Sequence, residues 1–244
     1  MKARSIIIPA VLIAGCFAVG YGIGKMFKGS KEEAPEVPGK YIALSFDDGP
    51  EPTTTPLILD LLEEYDIPAS FFLWGEKIVP EREQYIKRAV SLGCDIENHS
   101  FTHKMMTRLS DEEILEEIEK TSAAIENVIG KRPEFFRPPF INHDQRLHDL
   151  VDLTFINGLN CMDWEGRVTT EQRIEGMRRI VDDGVIFLLH DFGENYNTVE
   201  MLKTIIPEFK EQGYTFVTVP ELFKRFQVEP QRDSIYSKLA YPVK

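Results

Sequence analysis

The sequence predicts a single α/β domain built on a parallel sheet and closed as a TIM-like barrel, with a doubly wound open sheet as the alternative. Two observations carry this expectation. Strand-like and helix-like segments alternate along the chain, and repeated strand–helix units imply parallel pairing. The polar clusters fall just after apolar, strand-like runs, which places them at strand C-terminal ends, the active face of a barrel. With 244 residues and 43% hydrophobic content, the chain can bury one sizeable core.

The elements follow in order. The first strand is Tyr41-Ile42-Ala43-Leu44-Ser45, and Gly49-Pro50 forces the turn after it. Thr55 followed by Pro56 reads as an N-cap and first-turn proline. Leu57, Ile58, Leu61, Leu62 and Tyr65 then share one helical face. Residues 69–73 form the next strand, and the apolar run 89–96, with Gly93 in its middle, reads as another. Ser110-Asp111-Glu112-Glu113 is a capping box opening a helix with Ile114, Ile118, Ile125 and Val128 inward, stopped at Gly130. Phe135-Phe136-Arg137 and Thr154-Phe155-Ile156 are strands. A helix over 171–182 precedes the apolar strand 185–189. Asn197 with Glu200 reads as a second capping box, leading into Val199, Leu202, Ile205, Ile206 and Phe209. Residues 215–219 form the last strand and 221–226 a final helical turn, and 227–244 reads as a loose tail.

Ahead of the domain, Lys2 and Arg4 precede a charge-free stretch, 5–24, that is just long enough to cross a bilayer. Three readings compete for 1–27: an uncleaved anchor, a cleaved secretory signal, or a lipoprotein leader, since Ile13-Ala14-Gly15-Cys16 resembles a lipobox that would leave a lipidated Cys16. All three carry the domain across a membrane, and 28–38 reads as a polar tether. The net charge of −12 argues against nucleic acid and against direct adhesion to anionic lipid, whereas a neutral or cationic glycan tolerates it. Cys16, Cys94 and Cys161 make no disulfide framework, and Cys94 reads as a buried thiol, with a Cys94–Cys161 bridge left open.

The most informative residues are Phe46-Asp47-Asp48-Gly49. Two adjacent carboxylates raise each other's pKa unless a cation or an arginine offsets them. A strand places them on opposite faces, but at a strand-to-turn corner the alternation breaks and both can face one site. Alone, such a pair is more often an Asx turn capping a strand. Fifty residues on, His99 and His103 are four apart, so on a helical turn they would share a face and chelate one ion. A carboxylate with two imidazoles is a catalytic zinc set that leaves a position open for water.

Ser45-Phe46-Asp47-Asp48-Gly49-Pro50 followed by His99-Ser100-Phe101-Thr102-His103 resembles the NodB-type polysaccharide deacetylases, carbohydrate esterase family 4. Arg137-Pro138-Pro139-Phe140, Asp163-Trp164 and Leu188-Leu189-His190-Asp191 match in the same order, over residues 39–226. The resemblance implies a distorted (β/α)7–8 barrel as the catalytic domain. It implies that Asp48, His99 and His103 hold one divalent metal, with zinc the default and cobalt, nickel or iron also suited. Asp47 would be the general base, paired with Arg137, and His190 the general acid, paired with Asp163. The Phe140 backbone would stabilise the oxyanion, and Leu188 and Trp164 would form the acetyl pocket and groove wall. The family commonly has Tyr-Gly where this chain has Phe140-Ile141, and Ile141 puts the fine substrate assignment in question. His143 and His148 match no motif and read as surface residues, and Ser100 as a support for the histidine turn.

The expected function is removal of N-acetyl groups from an N-acetylglucosamine-containing polymer at the bacterial cell envelope, with the domain outside the membrane. The alternatives are an O-acetyl esterase on acetylated xylan or a similar glycan, and a glycan-binding protein with a vestigial site. The expected partners are the acetylated polysaccharide and, through the N-terminal segment, the membrane. No protein partner is expected.

Overall fold

The computed structural model describes residues 39–241, so the segment 1–27 with Cys16 and the tether 28–38 lie outside the described residues. Strand β1, Lys40–Asp47, is buried along all but its first residue, as expected of a parallel strand covered on both faces. It is followed by α1 (Thr55–Tyr65), β2 (Ser70–Leu73), α2 (Glu83–Ser91), β3 (Asp95–Asn98), α3 (Asp111–Ile129) and β4 (Phe135–Phe136). Then come α4 (Gln145–Leu150), β5 (Thr154–Ile156), α5 (Thr170–Ile180), β6 (Ile186–His190), α6 (Tyr196–Glu211), β7 (Tyr214–Phe216), α7 (Val219–Phe226) and β8 (Ile235–Tyr236).

The sheet runs β6-β1-β2-β3-β4-β5-β8 with every pair parallel, while β7 adds to the first three residues of β1. Beyond β5 the chain crosses back to β6: the Leu159 amide donates to Ile186 O at 2.8 Å and the Leu188 amide to Leu159 O at 2.8 Å. That approach needs Gly158, whose φ is 104° and where an added Cβ would lie 2.8 Å from the Leu188 Cβ. Together these contacts nearly close a distorted barrel.

The strand period of two sorts the core. Ile42, Leu44 and Phe46 of β1 pack in the larger cluster with α1 and α6, while Tyr41 and Ala43 pack with Phe72, Phe135, Ile156, Ile186 and the α7 residues Val219, Leu222, Phe223 and Phe226. Ser45 and Asp47 continue the second parity, as Leu188 and His190 do after Ile186 and as Arg137 does after Phe135. The functional side chains therefore stand above an apolar plug.

Several local expectations are corrected. The run 89–96 is not one strand: α2 ends at Ser91, Gly93 turns the chain at φ 79°, and β3 begins at Asp95. Thr55 does not cap α1; Thr54 holds that position, and the Thr55 hydroxyl donates to Asp191 Oδ2 while accepting from the Glu51 amide at 2.7 Å. Asn197 and Glu200 form no capping box, because α6 starts earlier, at Tyr196. The box falls instead on Thr169 and Gln172 at the start of α5, alongside the expected one at Ser110 and Glu113. Residues 227–241 are not loose: β8 pairs with β5, and Leu239 is buried. His148 is buried too, stacked on Phe155 with centroids 3.9 Å apart and 3.0 Å from His143. Cys94 and Cys161 are free, buried thiols and form no bridge.

Candidate functional site

Every residue singled out around the cleft comes from a strand end or the loop just beyond it. Asp47 closes β1 facing the barrel interior, and Asp48 follows with φ 73°, a left-handed turn that breaks the strand alternation and brings the second carboxylate to the same side. Gly49 is required next to them: a Cβ there would lie 2.3 Å from Asp191 Oδ2. His99 and His103 follow β3, but the segment between them is a loop and not the helical turn that their spacing suggests, with Ser100 at φ 65° and His103 at φ 57°.

Asp48 Oδ1 lies 3.5 Å from His99 Nε2 and 3.3 Å from His103 Nε2. His99 Nδ1 donates to Arg137 O at 2.7 Å, so Nε2 of the neutral ring presents a lone pair to the site. Asp48 Oδ1 is itself buried with no hydrogen-bond partner. Three lone pairs thus converge, an arrangement that a positive charge among them would favour. Burial pushes Asp48 up, but the close approach and charge of His99, then the charge of His103, outweigh it and hold the carboxyl well below the usual range. Burial lowers His99, yet the charges of Asp47 and Asp48 raise it overall, whereas burial and the charge of His99 keep His103 low. The three ligand atoms lie within 4.8 Å of one another, a set that fits a divalent cation such as zinc or cobalt.

On one side of this set, Asp47 is buried against Arg137, whose Nη1 donates to Asp47 Oδ1 at 2.5 Å. Arg137 is held by its Nη2 on Ser45 Oγ at 2.8 Å and by the Phe72 ring, 4.2 Å from the guanidinium carbon. On the other side, His190 Nδ1 pairs with Asp163 Oδ1 at 2.8 Å, and the His190 amide donates to Asp163 Oδ2 at 2.8 Å. Burial lowers the His190 pKa, but the charge and hydrogen bond of Asp163, aided by Asp47 and Asp48, raise it to about 9.

A cleft of about 390 Å³ joins these groups, lined by Asp47, Asp48, His99, His103, Phe140, Ile141, Asn160, Trp164, Leu188 and His190. Phe140 and Trp164 are its exposed aromatic walls, at 63% and 44% exposure. Phe140 packs edge-on to His103 at 4.8 Å and Trp164 edge-on to His190 at 5.5 Å. Leu188 is buried at its base. Phe140 and Ile141 are both left-handed, at φ 60° and 52°, a region where a β-branched residue is an outlier.

Sequence reasoning missed the supports. Arg173, buried on α5, donates to Asn195 Oδ1 at 2.7 Å and Thr198 Oγ1 at 2.9 Å, and Thr198 Oγ1 donates to Asp163 Oδ2 at 3.0 Å. Trp74 packs on His103 at 5.0 Å, and Lys77 Nζ donates to Asp48 O at 2.9 Å. Asp191 is fully buried beside Gly49, and burial, opposed by the Thr55 hydrogen bond, raises its pKa to about 7. Only Ser45 carried a signal, since period two places it beside Asp47.

Fold and site define a class: (β/α) barrels whose strand ends bring an Asp-His-His set that could hold an ion between an Asp–Arg pair and a His–Asp pair. The family profile described as polysaccharide deacetylase matches residues 34–159. The chain belongs to the polysaccharide deacetylase family, carbohydrate esterase family 4. It is 43% identical over 191 residues to the bifunctional xylanase/deacetylase of Pseudobutyrivibrio xylanivorans, covering 78% of this chain and 32% of that protein. It is 31% identical over 222 residues to the peptidoglycan-N-acetylglucosamine deacetylase PgdA of Listeria monocytogenes, covering 87% and 46%. The family 4 acetyl xylan esterase of Clostridium thermocellum, solved with a cobalt ion, superposes with a TM-score of 0.79 at 38% identity, covering 82% of this chain and 98% of that one. The chain spans between about a third and a half of the length of these two curated relatives.

Proposed function

We propose that the protein is a metal-dependent hydrolase that removes N-acetyl groups from an N-acetylglucosamine-containing polysaccharide at the cell envelope, its domain outside the membrane and carried there by the N-terminal segment. The observation that carries this reading is the placement of two differently supported proton carriers, Asp47 and His190, in one cleft with Asp48, His99 and His103. When bound, a zinc ion supplies Lewis-acid polarisation of the acetyl carbonyl and lowers the pKa of water towards about 7.

The chain's own residues do the rest. Asp47, its charge offset by Arg137, accepts the proton of the attacking water as the new C–O bond forms. The Phe140 amide stabilises the oxyanion; the neighbouring Ile141 and Asn142 amides are committed to the Pro138 and Pro139 carbonyls at 3.0 and 3.1 Å. His190, with Nδ1 taken by Asp163, uses Nε2–H to protonate the nitrogen as the C–N bond breaks. Acetate and a free amine leave. Leu188 takes the acetyl methyl group, and Trp164 forms a wall of the groove.

A second reading, O-acetyl esterase on acetylated xylan, is supported by the names of the xylan-acting relatives. An alkoxide leaving group depends less on an acid than an amine does, so His190 separates the two. Acetate release should be measured on N-acetylglucosamine oligomers, peptidoglycan and acetylated xylan, with wild type and His190→Ala. The amide reading predicts release from an N-acetylated glycan that His190→Ala lowers by roughly 10²–10⁴. Release from xylan alone, surviving in His190→Ala, establishes the ester reading instead.

A further inference from the structure

We propose that Glu117 on α3 is a positioning residue for the ion site, fixing the loop that sets His99 and His103 at their working distance. The inference rests on the metal reading above. Glu117 is buried at 7% exposure, touches no ligand atom and belongs to none of the matched motifs. Its Oε2 accepts from the amides of Phe101 at 2.8 Å and Thr102 at 2.7 Å, and its Oε1 from the Thr102 hydroxyl at 2.6 Å.

The need for such a clamp follows from the loop. Residues 100–102 belong to no helix or strand, and Ser100 and His103 adopt left-handed angles; the Gly75 and Glu76 amides hold the Ser100 and Phe101 carbonyls at 2.9 Å, but the loop's own amides need acceptors. The four consecutive amides from Ser100 to His103 all donate to side-chain oxygens: Asn98 Oδ1 at 2.8 Å, Glu117 Oε2 twice, and Ser100 Oγ at 3.1 Å. Asn98 and Ser100 lie on the same short segment and move with it. Glu117 comes from a separate element, the long helix α3, and so ties the loop to the rest of the domain. α3 reinforces this by accepting from Asn98 Nδ2 at Ile118 O and Ser122 Oγ, both at 3.0 Å. Buried acceptors of this kind are costly to remove, because the donors they serve are left unsatisfied.

Three substitutions separate position from charge. Glu117→Ala removes every acceptor. Glu117→Asp keeps the charge but withdraws it by one methylene. Glu117→Gln keeps the length: its amide oxygen can accept both backbone N–H groups while its NH₂ donates to the Thr102 hydroxyl. The full chain, stripped with a chelator, is titrated with Zn²⁺ against a chromophoric chelator and with Co²⁺ by visible absorption, and folding of each apo form is checked by circular dichroism. Glu117→Ala should bind Zn²⁺ about 10–100-fold more weakly and give an altered Co²⁺ band, with Glu117→Gln within about threefold of wild type. If Glu117→Ala does not fold, Glu117→Asp is read in its place with the same expectation. A folded Ala or Asp variant that binds within about threefold of wild type overturns the proposal, as does a Gln variant as weak as Ala. Failure of the wild type to bind either ion instead overturns the metal reading beneath it.

Discussion

His190 has one ring nitrogen spent on Asp163 and the other free for the cleft, and Asp163 is in turn held by Thr198, Asn195 and, through them, Arg173. The raised pKa, about 9, fixes the sign of the pH dependence. The imidazolium stabilises the fold fully below the ordinary histidine value of 6.5, and that contribution is lost as pH rises through about 9. The acid form required for amine departure disappears over the same range, so amide hydrolysis should fall on the alkaline side with an apparent pKa at or below about 9. A cation held by Asp48, His99 and His103 would oppose the imidazolium and move the limb down from that value. Asp163→Asn removes the group that raises the pKa most, so its limb should shift downward by about one unit or more in a pH–rate profile of acetate release. An unmoved limb would show that His190 is not the titrating acid.

Among the elements, β8 shows most clearly what sequence reasoning did and did not reach. Ile235 and Tyr236 pair with Phe155 and Ile156, the Ile186 amide donates to Ser237 O at 3.1 Å, and the Leu239 amide to Gly184 O at 2.8 Å. A chain ending at residue 228 should lose about 4 kcal/mol, from the burial of Leu239 and the hydrogen bonds along β8. Denaturant unfolding of the two chains measures this, and an unchanged midpoint would restore the loose tail. A two-residue strand flanked by charged and polar residues carries no period to detect, which is why β8 was missed. The longer strands and α3 were legible because apolar spacing and capping residues agreed there. Thr55 misled because a threonine before a proline suits a cap as well as it suits a partner for Asp191. His99 and His103 were found for a reason only half right: the spacing of four suggested a helix, while the structure joins them by a loop. The grouping of the side chains was legible and the backbone was not, because the left-handed turns at Ser100, His103 and Asp48 fall on residues other than glycine.

At the scale of the whole molecule, the barrel brings Asp47 and His190, 143 residues apart in sequence, to neighbouring strands, since β1 pairs with β6 in a register that sets Asp47 opposite His190. The apolar cluster formed with α7 lies beneath them, and the charged groups line the cleft above it. In the proposed mechanism Asp47 and Asp48, adjacent in sequence, do different work: Asp48 holds the ion with His99 and His103, and Asp47 takes the proton. The direct measurement is ion content and acetate release for Asp47→Asn and Asp48→Asn side by side. Asp47→Asn should keep about one ion per chain and lose roughly 10²–10⁴ in rate, while Asp48→Asn should lose the ion itself. Near-wild-type turnover by Asp47→Asn, or equal ion retention by the two variants, would contradict it.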